Sequence, residues 1–323
     1  MPKSRSEALL WISTALGLSL SSVLPPEAFA QTRALPKANF NNYSNNGGNA
    51  LPSGAGLSLQ EGMDRPRGAP AEVYNPGEPS LGHKLVRWEP RFMPLRVWIS
   101  PGKKLKDEAI SIINQNRPQE VLALLRSDPA LSSLEQCSNW NPEMSSAAAV
   151  GIEQWKEFQN EGLLAFDFVD DPSQANILLF WTDGFTGDEG VGGVSTGGNT
   201  VAVLYDAKEV HAKEALAGGR PLQGTPVIIE LRAADSFDKL QARAAHEFGH
   251  ALGIKAHSPY NQDLMCVNGI AKQLSGADKA TIRWLYRQQT PLLMLPPALP
   301  KYSAPVENQQ PAFNQLPGHP PDD

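Results

Sequence analysis

The chain has 323 residues and a net charge of −6, with no block of basic residues. That balance excludes nucleic acid and an anionic membrane surface as natural partners. The length would hold one large or two small domains, but many of the 28 prolines and 27 glycines fall in stretches too poor in apolar side chains to fold.

Residues 1–30 read as a secretory signal. Lys3 and Arg5 give a positive start, an apolar run follows from Ala8 to Leu24, and Ala28-Phe29-Ala30 supplies a small-residue cleavage site. The run is diluted by serines and is short of the roughly 20 apolar residues that a membrane anchor needs. Removal of this segment would leave a secreted or periplasmic protein with no membrane attachment. Residues 31–83 are rich in Asn, Gly, Pro and Ser and predict a disordered leader or propeptide. No cysteine precedes Cys137, so this leader cannot block a metal through a thiolate. Cys137 and Cys266 are the two cysteines, and an oxidising compartment would favour one disulfide between them over two free thiols.

A folded domain of mixed α and β type, class α+β, is expected over 84–290. Leu95–Ser100 predicts a strand ended by Pro101-Gly102. DEAISIINQ and QEVLALLRS are helical, and Ser145 to Gln159 predicts a helix with Ile152 and Trp155 on one face, capped by Ser145 or Ser146. LLAFDFVDD and the near-continuous apolar ANILLFWTD then predict strands, the second suited to the centre of a sheet. A glycine-rich loop follows. In it Asp183, Asp188 and Glu189 could supply hard oxygen ligands to a structural Ca²⁺, or simply form a solvated acidic loop. VAVLYDA and TPVIIELR predict two more strands around a polar insertion at 207–224. Ser236 and Ser275 are placed to cap two further helices. The proline-rich residues 291–323 predict a disordered tail.

The helix after Ser236 carries the chemistry, in HEFGHALGIKAHSPYNQDLM, 246–265. His246 and His250 stand four residues apart, which stacks both imidazoles on one helix face where they can grip one ion. Glu247 lies between them, placed to hold a water rather than a metal. Gly253 sits where the helix must stop, because a left-handed residue closes a helix end most cheaply without a Cβ. The returning chain offers His257. Three imidazoles around Zn²⁺ with one open position describe a catalytic site rather than a structural one.

This stretch resembles the zinc-binding signature of the metzincin peptidases, in particular the matrixin-like branch, whose pattern is HExxHxxGxxH with Ser after the last His and a methionine turn below. Met265 falls eight residues after His257, as in matrixins. ANILLFWTDGFTGDEGVGGVST resembles their central strand, metal-binding loop and edge strand, and LSGADKATIRWLY their closing helix. The resemblance implies a zincin-like catalytic domain: a twisted mixed β-sheet, an active-site helix, and a C-terminal helix below the cleft. It also implies a secreted, monomeric zinc endopeptidase acting on protein or peptide substrates. His246, His250 and His257 would be metal ligands and Glu247 the catalytic base. Gly192–Thr196 is a candidate for the edge that pairs with an extended substrate, or else a plain glycine-rich surface loop.

One departure concerns the third ligand. The family spacing points to Ala256, which cannot bind metal, whereas Ser258 and the distance to Met265 align with His257. Beyond Gly253 the chain is loop, where one extra residue can be absorbed. The astacin-like tyrosine after the methionine turn is replaced here by Cys266 and Val267. A thermolysin-like site needs a later glutamate, and the only one is Glu307 in the tail. Asp263 is a second conceivable third ligand. Two other functions stay open: a secreted zinc-containing binding module without catalysis, and a zinc hydrolase of cell-wall peptides.

Overall fold

Five helices and eight strands build the described part of the chain. The structure, a computed structural model, describes residues 72–105, 116–185, 197–233, 235–267 and 271–299. The signal segment, the loop carrying Asp188, Glu189 and Gly192–Thr196, the DEAISIINQ helix and the chain beyond 299 lie outside those residues.

The main sheet has five strands in the order β3-β2-β4-β7-β5. These are β2 (Leu95–Lys104), β3 (Phe166–Phe168), β4 (Ile177–Thr182), β5 (Gly198–Val201) and β7 (Val227–Arg232). β3, β2, β4 and β7 run parallel, and β5 closes one edge antiparallel to β7. β4 is buried along its whole length, as its apolar run requires of a central parallel strand. Its side chains alternate between two cores. Ile177, Leu179 and Trp181 enter the larger one, while Leu178 and Phe180 enter a smaller one on the opposite face.

Helices α2 (Pro142–Glu153) and α4 (Phe237–Leu252) cover the larger core, and α1 (Arg117–Ser127) covers the smaller with Val121, Leu122 and Leu125. α2 approaches α4 closely at Gly151, where an added Cβ would lie 2.1 Å from the Gln241 carbonyl oxygen. α5 (Gly276–Tyr286) packs Ile282, Leu285 and Tyr286 into the same core. A second, small sheet of β1 (Val86–Arg87), β8 (Leu292–Leu293) and β6 (Tyr205–Asp206) ties the two ends of the domain together. All of this is mixed α and β architecture on a mixed sheet.

Several elements differ from the sequence expectation. Pro101-Gly102 does not end β2. The strand shifts register between Ile99 and Lys104, with Gly102 at φ +85°, and continues to Lys104. α2 starts at Pro142 rather than Ser145, because proline suits the first turn and Asn141 accepts from the Glu143 amide at 3.0 Å. It gives way after Glu153 to a 3-10 segment, Gln154–Gln159, that buries Trp155 and Phe158. VAVLYDA splits between β5 and β6, which belong to different sheets. The polar insertion contains α3 (Ala207–Leu216), whose start is capped by Asp206 accepting from the Lys208 and Glu209 amides.

Structure also extends past both expected ends. Val73 and Tyr74 are buried, although they fall within the expected leader. Leu292, Leu293, Met294, Leu295 and Leu299 are buried where a disordered tail was expected. Five large apolar side chains within so short a stretch outweigh the local density of proline. The expected disulfide is not formed, and Cys137 and Cys266 are free, buried thiols. Each sulfur is engaged nearby: Cys137 donates to Asp183 at 3.1 Å, and Cys266 donates to the side-chain Oδ1 of Asn261 at 3.5 Å. No described helix is long and apolar enough to cross a membrane.

Candidate metal centre

α4 delivers two imidazoles and a carboxylate, and its end is built to turn the chain back. Leu240, Ala244, Phe248 and Ala251 bury one stripe of the helix, so His246 is left on the partly open side. Ser236 stands at the N-cap but its hydroxyl makes no capping bond; Arg243 instead pairs with Asp235 before the helix. Gly253 terminates α4 at φ +117°, and a Cβ there would lie 2.3 Å from the Val86 carbonyl oxygen. Both the left-handed backbone and the close approach of β1 therefore demand glycine.

The returning loop is pinned from two sides. The Lys255 ammonium donates to the His250 carbonyl at 2.8 Å, and the Lys255 backbone amide donates to the Pro76 carbonyl at 2.8 Å. Burial pushes the Lys255 amine down to about 8. Ala256 is buried, and His257 emerges as a partly buried ring facing the other two. The extra residue between Gly253 and the third histidine is thus taken up by the loop.

His246, His250 and His257 converge. Their ring centroids are 4.8, 4.9 and 5.2 Å apart, and their donor atoms all lie within 4.8 Å of one another. Nε2 of His250 is 3.2 Å from Nε2 of His257. Two nitrogens bound to one tetrahedral zinc at about 2.0–2.1 Å would stand about 3.3 Å apart, so this pair already has the edge length of such a site.

Backbone carbonyls set the tautomers. His246 Nδ1 donates to the Leu264 carbonyl at 2.7 Å, and His250 Nδ1 donates to the Ile254 carbonyl at 2.5 Å. A carbonyl can only accept, so each Nδ1 carries the proton and each Nε2 keeps a lone pair for a metal. Burial, with the neighbouring histidines, holds His250 well below the ordinary imidazole range. Burial and His246 push His257 down to about 3. Both rings are therefore neutral at pH 7, the state a metal requires of them.

Met265, fully buried, lies against α4 at Gly249, where its sulfur would be 2.4 Å from an added Cβ. The turn that carries it hangs from Asp278. This fully buried carboxylate accepts from the Leu264 amide (2.8 Å), the Met265 amide (3.3 Å), the Ser275 amide (2.9 Å) and the Tyr74 hydroxyl (2.9 Å). The Leu264 carbonyl in turn orients His246. The capping box of Ser275 and Asp278 announces the start of α5 in the sequence. That the same carboxylate suspends the floor of the site depends on contacts with remote Leu264 and Tyr74, which leave no local signal. Asp278→Ala strands three buried donors and the half-buried Ser275 amide, and should destabilise the protein by about 2–4 kcal/mol. A urea midpoint equal to that of the parent would contradict this.

Glu247 is 7% exposed and its Oε2 accepts from the Thr200 hydroxyl at 2.6 Å. Burial raises its pKa above the ordinary carboxylate value, while His246, the Thr200 hydroxyl and Arg243 pull it back. Thr200, on β5, was not singled out by the sequence.

The remaining candidates separate from this centre. Asp263 is buried and hydrogen-bonded to the Ser258 hydroxyl, outside the three-histidine group. Asp183 is engaged by protein donors: Oδ2 takes the Lys104 ammonium at 3.0 Å, and Oδ1 takes the Cys137 thiol and the Ser138 amide. Two histidines outside the motif stand apart from the centre: His211 pairs with Glu89 at 2.8 Å, and His83 is exposed. Among the described residues, His246, His250 and His257 are the one group of three or more such side chains arranged to hold a metal. No protein-family model matches the chain, and no curated protein matches it either.

Proposed function

We propose that the chain is a zinc-dependent endopeptidase of the matrixin-like metzincin type, exported by its N-terminal segment. The observation that carries this reading is the 3.2 Å separation of two Nε2 atoms whose rings, with His246, converge on one point. Carbonyl-fixed tautomers on His246 and His250 support it, since they leave lone pairs turned toward that point. The contact of α4 with an antiparallel edge strand, and the core it shares with Met265 and α5, support the zincin-like fold that the motif implies.

His246, His250 and His257 would hold Zn²⁺. When bound, the ion would supply Lewis acidity toward a peptide carbonyl and a water. Glu247 accepts the proton of the attacking water and delivers it to the leaving nitrogen as the C–N bond breaks. Its burial makes it a stronger base than a free carboxylate, and the Thr200 hydroxyl keeps one oxygen occupied. The second oxygen is free to meet the water.

The test is digestion of a proteome-derived peptide library by purified protein, with and without a chelator, together with metal analysis. The expected result is cleavage at internal bonds that the chelator stops and Zn²⁺ restores. One equivalent of zinc with no turnover on any peptide would leave a zinc-containing binding module instead. Cleavage confined to cell-wall peptides would narrow the substrate while keeping the chemistry.

A further inference from the structure

Strand β5 touches the proposed general base at two residues of one face. In a strand, alternate side chains share a face, so Gly198 and Thr200 point the same way and Asn199 the other. Their partners on β7 show which face it is. Gly198 pairs with Leu231 and Thr200 with Ile229, both in the core covered by α4, while Asn199 pairs with Glu230 on the far side. Thr200 is 4% exposed, and its hydroxyl lies 2.6 Å from Glu247 Oε2 and 3.0 Å from the Glu247 carbonyl oxygen. At Gly198 an added Cβ would sit 2.7 Å from both Cγ and Oε1 of Glu247. One residue thus grips the carboxylate and the other makes room for it.

We infer that Thr200 is a positioning residue for Glu247, and that Gly198 completes the cradle by carrying no side chain. This rests on the peptidase reading. A carboxylate with three side-chain torsions can present either oxygen to a water, and only a fixed one is aimed when the peptide arrives. The hydroxyl fixes Oε2 by a charge-assisted bond, so the carboxylate plane and the direction of Oε1 are set by the edge strand. Ordinary satisfaction of a buried hydroxyl would need only the Glu247 carbonyl. The shorter bond goes to the carboxylate instead.

Thr200→Val keeps the shape and strand propensity of the side chain and removes only the donor. It should lower kcat by roughly ten- to hundredfold with KM and zinc affinity little changed, because a bond to a charged group is lost and nothing that binds substrate or metal is touched. Thr200→Ser, which restores the hydroxyl, should recover most of the rate. Gly198→Ala should lower kcat as well by displacing Oε1, and it serves if the valine variant does not fold. In metal-free protein the urea midpoints of Thr200→Val and Glu247→Met should not be additive, as they would be for groups that do not touch. Undiminished kcat in Thr200→Val, a serine variant no better than valine, or additive midpoints would each overturn the role of Thr200 while leaving the peptidase standing. No turnover by the parent protein would overturn the peptidase reading, and the positioning role with it.

Discussion

Glu247→Gln should bind one equivalent of zinc and cleave peptides about 10²–10⁴-fold more slowly than the parent, the range expected when a positioned general base is removed. Glutamine has the shape of glutamate and can still meet the Thr200 hydroxyl, so the cradle of Gly198 and Thr200 is not emptied. It cannot take a proton. The three imidazoles are untouched, because the carboxylate is absent from the group of side chains that could hold a metal. Zinc content and kcat should therefore separate cleanly in this variant. The measurement is kcat/KM on the best library peptide alongside metal analysis of the same sample. A variant that loses zinc and activity together would make Glu247 a ligand. Full activity would remove it from the mechanism and leave the water without a base.

The parts of this site that were legible in the sequence are those written in local geometry. His246 and His250 follow from the helical repeat, and Gly253 from a backbone angle that other residues adopt only under strain. His257 was legible by its order along the chain rather than by its spacing. The buried position of Ala256 shows how the extra residue is absorbed. What stayed hidden is held by contacts between distant segments. Nothing near Thr200 in sequence announces Glu247, and nothing near Asp278 announces Leu264 or Tyr74. The misread elements have the same origin. Proline at 101 and 142 signals a break, but a bulge tolerates the first and a helix start welcomes the second. Two cysteines suggested a bond, yet each thiol found a side-chain oxygen nearby. α3 has little apolar periodicity to read, and the Asp206 cap is its main local sign.

His257→Ala tests the proposed ligand whose spacing departs from the signature. The two remaining imidazoles cannot complete a three-nitrogen site, so zinc affinity should fall by more than the 10–100-fold usually lost when an outer-shell partner is removed. Peptidase activity should be lost at ordinary zinc concentrations. Competition against a chelator of known affinity gives the measurement. Undiminished affinity here, with loss in Asp263→Ala, would transfer the third ligand to Asp263. The same variant carries a pH signature that needs no metal. In the folded protein His257 protonates only near pH 3, whereas an unfolded imidazole does so near pH 6.5. Between those values the unfolded chain binds more protons, so stability is lost as pH falls through that window. His250, also held far below its ordinary range, acts in the same direction. Metal-free parent protein should therefore weaken steeply on acidification below about pH 6.5, and His257→Ala should show a shallower slope over the same interval. Equal slopes in parent and variant would mean that the ring at 257 is solvated rather than packed against its neighbours, and the convergence on which a shared metal depends would be gone.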